Sequence, residues 1–155
     1  FGEFVQQGYG YNVAELRSEI GHILGIDKGH RLIIIGVGHL GHALLQNFDF
    51  EKVGFHVDTA FDVSPDLIGT SIHAVTIRSM DELEQYIADY RPDVVVLTVP
   101  QHVAQPMASR LIDLGIKGFW NFTNVELSTD KPDVFFEDVH FVDTLLTLSY
   151  RISRP

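Results

Sequence analysis

The chain of 155 residues carries a formal net charge of -10 and no cysteine. The length suits one domain, and the lack of cysteine excludes disulfides, thiol catalysis and thiolate metal ligands. The acidic balance argues against nucleic-acid binding by this segment itself, because phosphate contacts need clustered Lys and Arg.

The first eleven residues, 1–11, are rich in glycine and aromatic side chains and are interpreted as a loop or as the tail of a preceding element. They lack the basic and apolar segments of a signal peptide, and no stretch of the chain approaches the ~18 apolar residues of a membrane span. The chain does not begin with Met, which suggests a piece of a longer protein, with a processed start as the alternative.

A first helix is predicted immediately after this segment. Asn12 and Glu15 have the spacing of a capping box, and one apolar stripe runs from Val13 to Leu24. Gly25 is expected to end the helix. This helix precedes the first predicted strand, so it is an addition to the βαβ plan that follows.

A G-x-G-x-x-G turn between a predicted strand and a predicted helix is the main functional signal in the chain. A β-branched run at 32–35 precedes it, and an apolar helical pattern continues to Phe48. The turn consists of Gly36, Val37, Gly38, His39, Leu40 and Gly41. In this context the glycines allow a tight turn, close approach of backbone N–H groups to a pyrophosphate, and close packing of the helix. The sequence therefore predicts a diphosphate site at the helix N-terminus.

Asp62 ends the second predicted strand, 55–61, about 20 residues after the glycine turn. A carboxylate there can accept both ribose hydroxyls of an adenosine and would repel a 2′-phosphate, which favours NAD(H) over NADP(H). The alternative is a turn-forming Asp in the sequence Asp-Val-Ser-Pro. Asp58 is a weaker candidate because it lies in the middle of the same strand.

The rest of the chain alternates strands with helices. Strands are predicted at 74–77, 93–98, 117–121 and 134–137, and helices at 101–114 and from a capping box at Ser79 and Glu82. The near-continuous apolar run at 93–98 is typical of a parallel strand covered on both faces. The fold class is therefore α/β, a doubly wound parallel sheet of the Rossmann type.

A last helix is predicted from Phe141, with an apolar face wider than one neighbouring element usually covers. Its stripe and the residues that widen it are Phe141, Leu145, Leu148, Ile152, Val142, Leu146 and Tyr150. Such a face indicates a second surface outside the domain.

Two short segments follow predicted strands at the carboxyl edge of the sheet, where ligands bind in open α/β folds. They are Thr98, Val99 and Pro100 after the fourth strand, and Asn121, Phe122 and Thr123 after the fifth. Both are candidate walls of a nicotinamide pocket. A loop kink at Pro100 and a packing role for Phe122 are the alternatives.

The eight histidines include no pair at H-x-x-x-H spacing, so no metal site is expected. His39 and His42 are expected near the diphosphate. His102 and His140 are the only candidates for acid–base catalysis, and neither lies in a recognisable catalytic context. The interpretation is therefore a non-enzymatic nucleotide-binding domain. A fragment of an NAD-dependent dehydrogenase and a CoA-binding domain of the acyl-CoA synthetase type remain as alternatives.

Five motifs in this order resemble the Rex family, the bacterial redox-sensing transcriptional repressors that respond to the NADH/NAD ratio. The motifs are F-G-E-F-x-x-x-G-x-G-Y-N-V-x-x-L at 1–16, G-x-G-x-L-G-x-A-L-L at 36–45, F-D-V-x-P-x-x-I-G at 61–69, L-T-V-P at 97–100 and G-I-K-G-x-x-N-F at 115–122. The resemblance covers nearly the whole chain.

The resemblance implies a cytoplasmic, NAD(H)-binding homodimer that has no membrane partner. It divides the chain into a remnant of a winged-helix DNA-binding domain at 1–11, an NAD(H)-binding Rossmann domain at 12–140 and a C-terminal, domain-swapped helix at 141–155. DNA is then bound only through the missing N-terminal domain and is released when NADH binds. Phe141 matches the phenylalanine that approaches the nicotinamide across the dimer.

Two positions depart from the family pattern. His140 stands where the family commonly has Asp, and Thr123-Asn124 stands where it usually has Ala-Pro. That Asp belongs to the polar contacts that distinguish oxidised from reduced cofactor. The departures therefore concern redox discrimination, whereas cofactor binding is expected to remain.

Overall fold

A computed structural model describes residues 13–24 and 29–154. The helices in these ranges are α1 (Val13–Leu24), α2 (His39–Asn47), α3 (Leu83–Tyr90), α4 (Gln101–Asp113) and α5 (Phe141–Ser153). The strands are β1 (His30–Ile35), β2 (Phe55–Asp62), β3 (Ser71–Ile72), β4 (Val75–Ser79), β5 (Val94–Leu97), β6 (Gly118–Asn121) and β7 (Phe135–Asp138). Short 3-10 turns span Glu51–Val53 and Met80–Glu82. The predicted loop 1–11, the capping residue Asn12 and the predicted stop at Gly25 lie outside the described residues.

The described strands form one sheet in the order β3-β4-β2-β1-β5-β6-β7. All neighbours are parallel except the β3–β4 pair. Alternate residues of β1 point to opposite faces, so that Ile33 and Ile35 pack in the cluster with α3 and α4, whereas Leu32 and Ile34 pack with Leu45 of α2. The predicted doubly wound α/β fold is confirmed.

The β3–β4 hairpin differs from the prediction. Ala74 was expected in a strand at 74–77, but it lies with His73 in a two-residue turn, and β4 begins at Val75. Both turn residues have positive φ, 47° and 67°. Such turns usually carry Gly, Asn or Asp, so this sequence has no local signal for the hairpin. The other predicted bounds differ from the structure by only one or two residues.

The second capping box forms as predicted. Ser79 Oγ accepts a hydrogen bond from the Asp81 N–H (3.2 Å), and Glu82 Oε2 accepts one from the Ser79 N–H (3.3 Å). The helix begins with a 3-10 turn and continues as α3, which buries Leu83, Tyr86 and Ile87. The cap therefore fixes where the helical segment of the 3-10 turn and α3 begins.

An ion pair with a buried carboxylate joins β1 to β2 in the first half of both strands. The guanidinium of Arg31 contacts the carboxylate of Asp58 at 2.5 Å and 3.2 Å, and the side chain of Asp58 is only 4% exposed. The hydrogen bond to Asp58 raises the pKa of Arg31. Burial raises the pKa of Tyr86 to about 12, and Asp58 adds to that shift. Asp58 is thus committed to a structural pair, which agrees with its lower rank as a site candidate.

The apolar residues of α5 are not covered by the rest of the described chain. Leu145, Leu146, Tyr150 and Ile152 are all more than 60% exposed, and α1 likewise leaves Val13 exposed. Among the described residues, a single ring contact joins α5 to the loop after β6, between Phe141 and Phe122. The predicted surplus apolar face is therefore present.

Within the described residues no helix is long and apolar enough to cross a membrane.

Replacing Ser79 by Ala should lower the free energy of unfolding by about 1 kcal/mol, because the variant loses the side-chain acceptor of the helix cap. Urea titration followed by circular dichroism measures the change. Ser71→Ala is the matched control, since that exposed hydroxyl has only a 3.4 Å contact with Thr76 Oγ1. The control should change stability by less than about 0.5 kcal/mol. Equal losses in the two variants would contradict the role of the cap.

Candidate functional site

The predicted site residues meet at one edge of the sheet. The glycine turn follows β1, Asp62 ends β2, Thr98 follows β5 and Asn121 ends β6. These four strands are neighbours in the order β2-β1-β5-β6 and run parallel, so their carboxyl ends share one edge. The chain passes to one side after β1 and to the other after β5, and this change of direction leaves a crevice where α/β folds bind ligands.

The glycine turn packs too closely for side chains at two of its positions. Gly36 has a φ of 96°, and a Cβ there would lie 2.8 Å from the carbonyl oxygen of Thr98. A Cβ at Gly41 would collide with the carbonyl oxygen of Gly36. The first and third glycines of the motif are therefore required by the fold itself, before any ligand is considered.

Gly38 has a different role, because it is the N-cap of α2 and its Cβ position is open. Apart from its chain neighbours and the backbone of α2, no atom of the described residues lies within 4 Å of that position. No described side chain caps the helix, and no acidic residue occupies its first turn. The first bond of the helix runs from the His42 N–H to the Gly38 carbonyl (2.9 Å). The N-terminus of α2 thus presents uncapped N–H groups and a positive dipole end to the crevice, which suits a diphosphate. His39, the first residue of α2, is exposed beside it.

Asp62 uses both carboxylate oxygens to hold backbone. Oδ2 accepts a hydrogen bond from the Val37 N–H (2.7 Å), and Oδ1 accepts one from the Ser64 N–H (2.8 Å). The turn-forming role is therefore present, together with a bond to the glycine turn that the sequence did not suggest. Each oxygen retains a further acceptor site, so contact with a ribose stays a prediction.

Thr98 faces the glycine turn. Its N–H donates to the Ile35 carbonyl (3.0 Å), and its Oγ1 lies within hydrogen-bond distance of the carbonyls of Ile35 (3.2 Å) and Gly36. Val99 packs against the core, and Pro100 is the N-cap of α4. The predicted contacts of these residues with a nicotinamide stay predictions.

The side chain of Asn121 is buried and fully engaged. Its amide donates to the Val125 carbonyl (2.7 Å) and to Asp138 Oδ1 (2.8 Å), and its oxygen accepts bonds from the N–H and hydroxyl of Thr123. This network shapes the loop after β6, in which Asn124 has a φ of 60°. Proline cannot adopt that φ, so the loop conformation depends on Asn124.

Asp138, which ends β7, was missed by sequence reasoning. It orients Asn121 from the neighbouring strand, where β6 and β7 pair in parallel. Its position at the carboxyl end of a predicted strand was the available signal. With His140 and Asn124 it lines a polar cavity of about 350 Å³.

Two aromatic rings border this end of the crevice. The centroids of Phe122 and Phe141 are 5.9 Å apart, and Phe122 also contacts Trp120 at 4.7 Å. Phe141 begins α5 and is 56% exposed. The preceding His140 lies with its Nδ1 3.7 Å from a carboxylate oxygen of Asp143. An exposed ring beside a polar cavity is compatible with a planar ligand, and contact of either ring with a cofactor stays a prediction.

No group of three or more metal-binding side chains occurs among residues 13–24 and 29–154. His102 and His140, the two candidates for acid–base chemistry, are both exposed and lie on different elements. Among the described residues, neither histidine therefore belongs to a group of metal ligands.

Comparison with known proteins agrees with the motifs. A family model described as the CoA binding domain matches residues 27–125. The redox-sensing transcriptional repressor Rex of Caldanaerobacter subterraneus is 44% identical over 154 residues, which is 99% of this chain and 68% of that protein. Rex of Clostridium tetani is also 44% identical, over 99% of this chain and 72% of that protein. The chain belongs to the Rex family.

Solved structures of Rex-family members have the same fold. The repressor RSP in complex with β-NAD⁺ and operator DNA superposes with a TM-score of 0.88 at 44% identity, over 98% of this chain and 70% of that one. RSP in complex with β-NADH superposes with a TM-score of 0.85 at 42% identity, over 94% of this chain and 70% of that one. An alcohol dehydrogenase superfamily protein from Novosphingobium aromaticivorans shares the fold alone. Its TM-score is 0.58 at 19% identity, over 77% of this chain and 38% of that one. The Rex relatives are named as repressors and not as enzymes.

Gly41→Ala should lower the free energy of unfolding by about 1–3 kcal/mol, because the added methyl group meets the backbone of Gly36. Gly38→Ala is the matched control: the same methyl group enters open space and should cost less than about 1 kcal/mol. Thermal and urea unfolding of both variants measure the difference. A Gly41→Ala variant as stable as Gly38→Ala would contradict the packing described for the turn.

Proposed function

We propose that this chain is the NAD(H)-sensing part of a Rex repressor, in which NADH binds the crevice and causes the complete protein to release DNA. The observation that carries the proposal is the uncapped N-terminus of α2, open at Gly38 and flanked by Asp62, in a chain of the Rex family. An anion-binding helix end next to a carboxylate matches the diphosphate and ribose of a dinucleotide.

The parts of the cofactor are assigned along the crevice. The diphosphate lies on the backbone of Gly36–Gly41, and the adenine ribose lies at Asp62, whose charge would repel a 2′-phosphate. The nicotinamide lies towards Asn121, Phe122 and Phe141, with Thr98, Val99 and Pro100 between the two ends. The RSP structures support NAD(H) as the cofactor, since that relative was crystallised with NAD⁺ and with NADH.

DNA contact falls to a segment outside the described residues. The net charge of -10 opposes direct binding of phosphates by this chain, and the chain covers only about 70% of the Rex relatives. The RSP complex with operator DNA supports a repressor role. The proposed organisation of this chain is a winged-helix remnant at 1–11, a Rossmann domain at 12–140 and a C-terminal helix at 141–155. A protein that binds an operator acts where the chromosome lies, so the proposed location is the cytoplasm.

The proposed assembly is a homodimer joined through α5. Its apolar residues, including Leu145 and Leu148, are exposed along the whole helix, and burying one such side chain stabilises an assembly by about 1.5–3 kcal/mol. In a swapped dimer α5 would cover the partner, and Phe141 would approach the partner's cofactor. Such an arrangement links the cofactor to the relative orientation of the subunits, and a ligand shifts an orientation only through different affinity for the two states.

A second candidate function is CoA binding, which the match of the CoA binding domain model favours. CoA also carries a diphosphate and an adenosine, so the glycine turn suits both molecules. Asp62 favours a ribose with two free hydroxyls, and CoA has a phosphate on its ribose, so the carboxylate favours NAD(H) without excluding CoA; direct titration decides between them.

Titration of the chain with NADH, NAD⁺ and CoA should show that NADH binds at least about tenfold more tightly than NAD⁺. A ligand moves a conformational equilibrium only through different affinity for the two conformations, and a near-complete swing needs a difference of about 5.5 kcal/mol between them. Trp120, the single tryptophan, contacts Phe122 and serves as the fluorescent reporter. Equal affinities for NADH and NAD⁺ would refute the redox switch, and binding of CoA alone would favour the second function.

Leu145→Asp should raise the dissociation constant of the homodimer by at least about tenfold, because an apolar contact is replaced by a buried charge. Light scattering after size-exclusion chromatography over a range of concentrations measures this. Thr147→Asp adds the same charge on the opposite side of α5 and should leave the dimer intact. A monomeric wild type, or a Leu145→Asp dimer of unchanged affinity, would contradict assembly through α5.

A further inference from the structure

The peptide unit between Gly36 and Val37 is held at both ends. Its N–H, which belongs to Val37, donates to Asp62 Oδ2 at 2.7 Å. Its carbonyl, which belongs to Gly36, accepts from the hydroxyl of Thr98. The two partners come from β2 on one side of β1 and from the end of β5 on the other. One peptide plane of the glycine turn is therefore clamped from both neighbouring strands.

The Thr98 hydroxyl donates mainly to the Gly36 carbonyl, because it has only one hydrogen to donate. A threonine hydroxyl has one hydrogen to donate, and two carbonyl oxygens lie within reach. The Ile35 carbonyl at 3.2 Å already accepts a bond from the Thr98 N–H at 3.0 Å, whereas the Gly36 carbonyl is closer to the hydroxyl. The bond to Gly36 is therefore the principal one.

The same carbonyl oxygen also sets the position of α2. Gly41, in the first turn of α2, packs directly against it, and a Cβ at Gly41 would lie 3.2 Å from Thr98 Oγ1. The end of β5, the start of the turn and the start of the helix thus meet at one atom. Rotation of this peptide unit would move the carbonyl away from Thr98 and shift the N-terminus of α2.

We propose that Thr98 is a positioning residue for the diphosphate, which it serves through the Gly36–Val37 peptide unit and not as a wall of the nicotinamide pocket. The inference rests on the proposed function, since it presupposes a dinucleotide on the glycine turn. Without the hydroxyl, the Gly36 carbonyl loses its partner and the N–H groups of α2 are no longer held in one orientation. Affinity then falls for every ligand that contains the diphosphate, whether or not it contains a nicotinamide.

The test compares Thr98→Val, which keeps the shape and removes the hydroxyl, with Thr98→Ser, which keeps the hydroxyl. The probes are NADH and ADP-ribose, which share the diphosphate but differ in the nicotinamide. Isothermal titration should show that Thr98→Val weakens both ligands by about tenfold, and that Thr98→Ser stays within about twofold of wild type. Thr98→Ala gives the same comparison if the valine variant does not fold.

Thr59 provides a matched control for stability. Its buried hydroxyl donates to the Thr76 carbonyl at 2.7 Å, in the same sheet but away from the turn. Thr59→Val should lower the melting temperature about as much as Thr98→Val does, and it should leave the affinity for both ligands unchanged. An affinity loss in Thr98→Val that exceeds that of this control then belongs to the turn and not to general destabilisation.

Four results would overturn the inference. A loss of NADH affinity with ADP-ribose affinity unchanged would make Thr98 a nicotinamide contact. Equal affinity losses in Thr98→Val and Thr59→Val, or no rescue by Thr98→Ser, would make its role merely structural. A wild-type chain that binds neither ligand would remove the proposed function itself, and that failure is seen before any variant is compared.

Discussion

The turn from strand β1 to helix α2 has no space for a side chain at Gly36 or Gly41, and the rest of the site depends on this constraint. The carbonyl of Gly36 lies against Gly41 on one side and the hydroxyl of Thr98 on another. Close contact forces the backbone of the helix start towards the crevice, and the open position at Gly38 leaves its N–H groups accessible. A helix end without a side-chain cap suits an anion, because its N–H groups have no acceptor within the helix.

The sheet supplies the rigidity that this geometry needs. Ile33, Ile34 and Val96 are completely buried in the central strands, and helices cover both faces of β1. Parallel strands bring their carboxyl ends to one edge, so that Asp62 and Thr98 reach the same peptide unit from opposite sides. Burial of the strands thus stabilises the fold and also places the groups that hold the turn.

The end of the crevice near Asn121 is held by side-chain hydrogen bonds and not by close packing of glycines. Around Asn121 a network of hydrogen bonds shapes the loop, and it engages Asp138 of the neighbouring strand. The exposed Phe141 contacts Phe122, and the apolar face of α5 continues outward from there without being covered by the described residues. The proposed nicotinamide end of the site therefore lies next to the helix through which the chain is proposed to dimerise, so the two proposals share one surface.

Local patterns in the sequence determined a large part of this protein. The glycine turn between strand and helix, the carboxylate ending β2, the capping box at Ser79 and the apolar stripe of α5 all follow from spacing and period, and the ordered motifs identified the Rex family. Tertiary structure alone decided which partners those groups take. The hydroxyl of Thr98 meets Gly36 from a distant part of the chain, and Asp138 meets Asn121 only because β7 pairs with β6. The hairpin at His73 was not predicted from the sequence, because its turn consists of residues that carry no turn signal. Sequence spacing encodes which element forms, whereas a hydrogen bond between elements depends on strand order and register, which no local pattern contains.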